Sequence, residues 1–317
     1  MIYSIARLIR LPNLLIIAAT QYLMRHMVIE SFLKINGFQL QLGHVHFFLL
    51  VLSTTLIAAA GYAINDYFDT LPDRLNKPDK MVIDKKISRQ LAINLHFILS
   101  LIGTGLGIYL SFYVKIPGLS LLFILAAGML WLYSTNYKKQ FVIGNFIVSL
   151  LTGTVPIMVI LFEMPLMNKE YGEIMIEAGA NFNYIFYWVA GFGFFAFYTN
   201  FIREIIKDAE DFEGDRAYGM NTFPIVMGIG FTRLMIITLI LVMIGFLLVI
   251  LQKFILLTQA GFDYLSAGYF LAAIIFPLFS IVFFIWRARD KKAYHIASQI
   301  MKLIMLFGVL YSIIVFY

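Results

Sequence analysis

Nine apolar stretches divide this chain, at roughly 11–29, 45–65, 91–112, 117–134, 141–162, 183–202, 224–251, 265–286 and 297–317. Each is close to the ~20 residues a helix needs to cross a bilayer. Hydrocarbon offers no water to backbone N–H and C=O groups, so a spanning segment must satisfy them internally, as a helix does. The sequence therefore predicts an all-α, multi-pass membrane bundle of about nine helices. Only 13% of the residues are charged, against about 25% in an ordinary soluble domain. The apolar excess runs the whole length, so residues 1–317 are expected to form a single integral-membrane domain. No small-residue cleavage site follows the first apolar run, which reads as a retained helix.

Charge sets the expected orientation. Nine spans put the termini on opposite sides. With the N-terminus inside, all but five of the 24 lysines and arginines fall on inner segments. The five are Arg25, Lys34, Lys115, Lys169 and Lys253. The positive-inside rule then places the N-terminus in the cytoplasm and the C-terminus outside. The net charge of +6 follows from this asymmetry and implies no nucleic-acid partner. The chain has no cysteine, which excludes thiolate metal sites and cysteine nucleophiles. Glu163, Glu170, Glu173 and Glu177 fall on the outer side and are expected to be solvated.

Two carboxylate motifs stand out against this background. Asp66, Asp69 and Asp73 follow the second span, and the same spacing returns 142 residues later in Asp208, Asp211 and Asp215. Positions i, i+3 and i+7 share a helical face. Asp66, Asp69 and Asp73 form a carboxylate stripe if the second helix continues beyond the membrane boundary, and Pro72 makes the end of that helix imperfect. Asn65 adds a neutral oxygen beside that stripe. Close carboxylates repel, and a cation among them relieves the repulsion. Oxygen ligands without sulfur or imidazole suit Mg²⁺, which commonly bridges to phosphate oxygens. The predicted metal ligands are thus Asn65, Asp66, Asp69, Asp73, Asp208, Asp211 and Asp215, with Asp66, Asp69, Asp208 and Asp211 catalytic. Arg74, Lys77, Lys138, Arg203 and Lys207 lie near these carboxylates in sequence or in an inner loop, and suit a diphosphate. Tyr133 could donate a hydrogen bond to a phosphate oxygen, and Asn13 opens the first helix at the same inner boundary. Matching motifs four helices apart suggest two related four-helix halves plus a ninth helix, with the motifs facing a central cavity.

A diphosphate held by Mg²⁺ beside an apolar helical bundle points to departure of diphosphate from an allylic prenyl chain. The metal stabilises the developing negative charge, and a water-excluding site favours transfer over hydrolysis.

The chain resembles the UbiA superfamily of intramembrane prenyltransferases. Asn65-Asp66 with Asp69 and Asp73, continued by Asn76-Lys77-Pro78, carries the resemblance. So do Asp208, Asp211 and Asp215, with Gly144-Asn145 and Arg10-Leu11-Pro12-Asn13. It covers essentially the whole chain and implies Mg²⁺, a prenyl diphosphate donor, a lipophilic acceptor and a site at the inner face of the bilayer. The stretch from Arg203 to Asp215 resembles the geranylgeranylglycerol-phosphate geranylgeranyltransferase branch, which implies a geranylgeranyl donor and a glycerol-phosphate acceptor in ether-lipid synthesis. An aromatic quinone precursor, such as 4-hydroxybenzoate or homogentisate, is the alternative acceptor. The loop Asp79–Ser88 departs from the Arg-Pro-rich stretch of many members.

A membrane transporter is the reading from another class. It predicts ionisable residues at mid-membrane, whereas most acidic residues here cluster at inner helix ends. A CDP-alcohol phosphatidyltransferase would need an Asp-Gly dipeptide and an Ala-Arg element in one aspartate motif, and neither occurs there. Gly103, Gly105 and Gly107 lie inside the third span and read as close helix packing. Pro156 is expected to kink the fifth span.

Overall fold

The computed structural model describes residues 2–76, 81–255, 257–258 and 261–315. Of Pro72, Asp73, Asn76, Phe254, Leu257, Thr258 and Gly261 it describes the backbone only. Lys77 lies outside the described residues, and so does the side chain of Asp73.

The described chain is mostly helical, with a two-stranded turn pairing Leu257–Thr258 with Gly261–Phe262 and an isolated bridge between Ile83 and Ile87. In chain order the helices are α1 (Ile2–Leu8), α2 (Leu11–Ile35), α3 (His44–Phe68), α4 (Thr70–Asn76), α5 (Arg89–Tyr113) and α6 (Pro117–Thr135). Then come α7 (Ile143–Glu177), α8 (Asn183–Glu210), α9 (Phe212–Ala217), α10 (Phe223–Lys253), α11 (Tyr264–Trp286) and α12 (Lys291–Ile313). Among the described residues eight helices are long and apolar enough to span a membrane, or nine when the bent pair α1 and α2 counts as one. These nine match the nine apolar stretches, and the chain is a multi-pass membrane protein. The largest boundary difference is α7. Its apolar stretch stops near 162, but the helix runs on to Glu177, through Pro156 and Pro165 without a break.

The chain groups into two compact units. The first takes residues 1–138 and 154–193, the second 139–153 and 194–317, so α7 contributes to both. In the first unit α3 packs against α2, α5 and α6. Close approach is built on glycine, since small residues let membrane helices touch backbone to backbone. A Cβ on Gly107 would fall 2.2 Å from the Phe123 ring, and one on Gly103 would lie 3.0 Å from the Ser53 carbonyl oxygen. Gly105 faces open space, so only two of the three glycines serve packing. In the second unit α11 packs against α10 and α12. There the Tyr269 hydroxyl donates to the Phe307 carbonyl at 2.6 Å.

Two features depart from the sequence expectations. Glu163 is fully buried, whereas Glu170, Glu173 and Glu177 are exposed as expected. Its Oε1 accepts the backbone N–H groups of Gln41 and, at 2.9 Å, Leu42. Arg25 is also buried, lies within electrostatic reach of Glu163, and donates to the Leu42 carbonyl. Its guanidinium sits 4.3 Å from the Phe47 ring centre. A buried charge is tolerated when it is compensated and hydrogen-bonded. Here Arg25 and Glu163 make no direct hydrogen bond or ion pair. Each holds the 41–42 segment separately, Arg25 through the Leu42 carbonyl and Glu163 through two backbone N–H groups. The second feature is the corner between α1 and α2, bent by 61°. Arg10 stands there at φ 52°, ψ 54°, a left-handed conformation that is uncommon for any residue but glycine.

Candidate active site

Both aspartate motifs have the same backbone construction. Asp66 lies in the last turn of α3, and Asp69 follows the helix end at φ −85°, ψ 0°, its N–H still bonded to the Asn65 carbonyl at 3.0 Å. Asp73 then falls in α4. In the second unit Asp208 lies in the last turn of α8. Asp211 stands at φ −94°, ψ 10°, with its N–H on the Lys207 carbonyl at 2.9 Å, and Asp215 falls in α9. Each helix breaks at its second aspartate, so neither triad lies on one continuous helix, and the imperfect end expected at Pro72 has a counterpart in the second motif. Pro72 has no N–H to continue the first helix. Gly214, at the matching position of the second motif, weakens helix by about 1 kcal/mol relative to alanine.

The side chains of the first motif are held by cations and an amide. Arg10 Nη2 donates to Asp66 Oδ1 at 2.8 Å, and its guanidinium lies 4.9 Å from the Tyr62 ring centre. Burial opposes the Arg10 charge, but Asp66, with help from Tyr62 and Asp69, outweighs it and holds the guanidinium above its ordinary pKa. Asn13 Nδ2 donates to the Tyr62 hydroxyl at 3.4 Å. Lys138 donates to Asp69 Oδ2 and, at 3.3 Å, to Asn65 Oδ1, while Asn65 Nδ2 donates to Asp69 Oδ2 at 2.7 Å. Lys138, expected to clamp phosphate, thus also sits directly on a candidate metal ligand. Arg74 turns instead to Asp84, at 3.8 Å, which Arg89 also holds at 3.1 Å. Tyr133 is half-buried near the end of α6.

In the second motif Asn145 Nδ2 donates to Asp208 Oδ2 at 2.8 Å. Asp215 is buried and accepts from Thr222 Oγ1 at 3.3 Å. Arg203 and Lys207 both bind Glu204, at 3.1 and 2.8 Å, so these two expected diphosphate groups have a shared anionic partner within their own helix. Arg216 is exposed.

In the sequence Arg10 and Asn145 carry the family resemblance, and neither is assigned to an aspartate there. In each unit the helix before the motif helix supplies a polar group from its first turns to the first aspartate. That group is Arg10, just ahead of α2, for Asp66, and Asn145 of α7 for Asp208. The available signal was position alone: polar residues at the start of the first and fifth apolar stretches.

The donor set suits a hard divalent cation. Among the described residues no group of three His, Cys, Asp or Glu side chains gathers as a ready metal cage. Mg²⁺ seldom needs one, since it binds through one or two carboxylates together with substrate phosphates and water. Asp66 takes Arg10 on Oδ1, Asp69 takes Lys138 on Oδ2, and Asp208 takes Asn145 on Oδ2. Each of these carboxylates has a second oxygen with no hydrogen bond among the described residues.

Residues 36–306 match the model of the UbiA prenyltransferase family. The chain belongs to that family. It thereby falls among the enzymes that transfer alkyl or aryl groups other than methyl. The digeranylgeranylglyceryl phosphate synthase of Korarchaeum cryptofilum is 31% identical over 263 residues, 83% of each chain. The enzyme of that name from Methanothermobacter thermautotrophicus is 33% identical over 190 residues, 59% of this chain and 58% of its own length. A UbiA homolog from Archaeoglobus fulgidus, solved bound to GPP and Mg²⁺, shares the fold. Its TM-score is 0.54 at 14% identity, over 98% of this chain and 100% of that one.

Proposed function

We propose that this chain is a Mg²⁺-dependent geranylgeranyltransferase that alkylates geranylgeranylglyceryl phosphate to make the second ether of a digeranylgeranylglyceryl phosphate. The observation that carries the acceptor is the 31% identity to the Korarchaeum cryptofilum synthase across 83% of both chains. The metal follows from the oxygen-only donor set and from the Archaeoglobus fulgidus homolog bound to GPP and Mg²⁺.

In this reading Asp66, Asp69, Asp208 and Asp211 are the principal metal ligands, completed by Asn65, Asp73 and Asp215. Bound Mg²⁺ would stabilise the diphosphate as it leaves and so favour cleavage of the allylic C–O bond. The protein supplies the rest. Arg10 and Asn145 fix the first aspartates of the two motifs, which keeps the carboxylates in one orientation before the donor arrives. Lys138 and Asn65 fix Asp69, and the Lys138 ammonium adds positive charge for phosphate oxygens. Asn13, Arg74, Lys77, Tyr133, Arg203 and Lys207 are the remaining groups proposed to meet the substrates. The acceptor hydroxyl forms the new C–O bond as the donor C–O bond breaks, and its proton leaves to solvent or to a nearby carboxylate. The N-terminus and the site lie on the cytoplasmic side, supported by the distribution of lysine and arginine.

The test is a product assay with the purified chain, Mg²⁺ and geranylgeranyl diphosphate. Geranylgeranylglyceryl phosphate and 4-hydroxybenzoate are offered together. The expected product is the diether phosphate, lost with EDTA. A prenylated aromatic product instead would refute the acceptor and move the enzyme to quinone-precursor chemistry.

A further inference from the structure

The second motif is held from a direction that its sequence does not announce. α12 begins behind Asp290, whose Oδ1 accepts the Ala293 N–H at 3.1 Å. Lys291 and His295, four residues apart, lie on one face of that helix. His295 Nδ1 sits 2.9 Å from Glu210 Oε1, and Lys291 Nζ lies 3.7 Å from Asp211 Oδ1. Glu210 is the last residue of α8, its side chain only 8% exposed, and Asp211 is the residue at the break. A carboxylate only accepts, so His295 carries a proton on Nδ1 and donates it.

α9 has six residues, and a helix so short draws much of its stability from tertiary contacts. At the matching position of the first motif stands Phe68, which meets the Trp131 ring edge-on at 6.1 Å. The first break is thus packed by an aromatic pair, whereas the second is held by the start of the last helix. We infer that His295 is a positioning residue for the second aspartate motif, acting through Glu210, and that Lys291 sets the charge environment of Asp211 toward an Mg²⁺–prenyl diphosphate. This rests on the function proposed above. It gives the last helix, α12, a part in donor binding.

The test uses the full chain in detergent, with His295→Ala, His295→Gln and Lys291→Ala. Three readouts are taken: backbone hydrogen exchange over 207–217, Mn²⁺ binding by EPR in the presence of geranylgeranyl diphosphate, and kcat and KM for donor and acceptor separately. A lost partner behind a metal ligand commonly costs about 10–100-fold in metal affinity or activity. His295→Ala is expected to speed exchange in 207–217 alone, weaken Mn²⁺ binding, and lower kcat/KM for the donor by about 10–100-fold with acceptor KM unchanged. His295→Gln, whose amide can still donate to Glu210, should restore most of the loss. Lys291→Ala should raise donor KM. Wild-type exchange and donor kinetics in His295→Ala would overturn the inference, as would faster exchange across the whole chain with no rescue by glutamine. If the wild type binds Mn²⁺ and donor but transfers to neither acceptor, the acceptor reading fails alone. The exchange and binding arms then still decide this one.

Discussion

Glu163→Gln separates charge from hydrogen bonding at the buried pair. Glutamine keeps a side-chain oxygen for the Gln41 and Leu42 N–H groups that Glu163 now satisfies. It removes the negative charge that faces Arg25, which remains buried and 1% exposed. Stranding one member of a buried ion pair costs about 3–5 kcal/mol. Arg25 and Glu163 form neither a hydrogen bond nor a salt bridge and act on each other only through their fields, so the cost is set at the bottom of that range, about 3 kcal/mol. That is roughly a hundredfold in the unfolding equilibrium. Glu163→Ala also strands two backbone N–H groups, at about 1–3 kcal/mol each, for a total of about 5 kcal/mol or more. Against a typical total stability of about 5–15 kcal/mol, that variant should accumulate poorly. The assay is equilibrium unfolding in mixed micelles with SDS as denaturant, followed by tryptophan fluorescence, with far-ultraviolet circular dichroism as a second probe. The glutamine variant should unfold about 3 kcal/mol more easily and still bind donor. If it lies within about 0.5 kcal/mol of the wild type, the span of ordinary surface substitutions, the Glu163 charge is not stabilising Arg25 and the argument is wrong.

Asp66→Ala and Asp208→Ala should each abolish Mg²⁺-dependent transfer while the protein elutes and melts as a folded species; near-full activity in either would remove that residue from the metal site. Lys138→Ala should raise donor KM and lower kcat together, because it removes the ammonium that holds Asp69 and that is proposed to meet the diphosphate, and Lys138→Arg should recover part of each. Chelation with EDTA should stop product formation reversibly, with Mg²⁺ restoring it; persistent turnover in EDTA would contradict the oxygen-ligand reading. Gly107→Ala places a methyl 2.2 Å from the Phe123 ring and should destabilise by about 1–3 kcal/mol through overpacking. Adding Phe123→Leu should recover much of that loss, and an unchanged unfolding midpoint in Gly107→Ala would show that α5 and α6 are not in such close contact.

The spans were legible because lipid leaves the backbone a single economical way to satisfy itself, so length and apolarity alone locate helices. Glu163 and Arg25 were not, because one charge in a long apolar window barely changes the average, and burial depends on partners far off in sequence. Arg25 also lies in a π-helical turn, Met24–Ile29, which shifts side-chain phase away from the 3.6-residue pattern used to assign faces. The motifs were legible as spacing, and Pro72 marked the imperfect end of the first helix; Gly214, which also stands three residues after the aspartate where its helix stops, carries the same signal for the second. What sequence reading could not reach is who holds each aspartate. Arg10 and Asp66 are 56 residues apart, Asn145 and Asp208 are 63, and His295 and Glu210 are 85. These contacts also differ in chemistry between the motifs: a guanidinium on Asp66 but an amide on Asp208, an aromatic pair at the first break but an imidazole and an ammonium at the second. The repeat therefore preserves a backbone construction while its charge environment does not repeat. On that basis the two motifs are not interchangeable supports for a diphosphate. Among the described contacts Arg10 and Lys138 sit on aspartates of the first motif, whereas Asp208 takes a neutral amide, so alanine at Arg10 should weaken donor binding more than alanine at Asn145. Equal losses in donor affinity from the two substitutions would show that the polar contact, and not its charge, is what each motif requires.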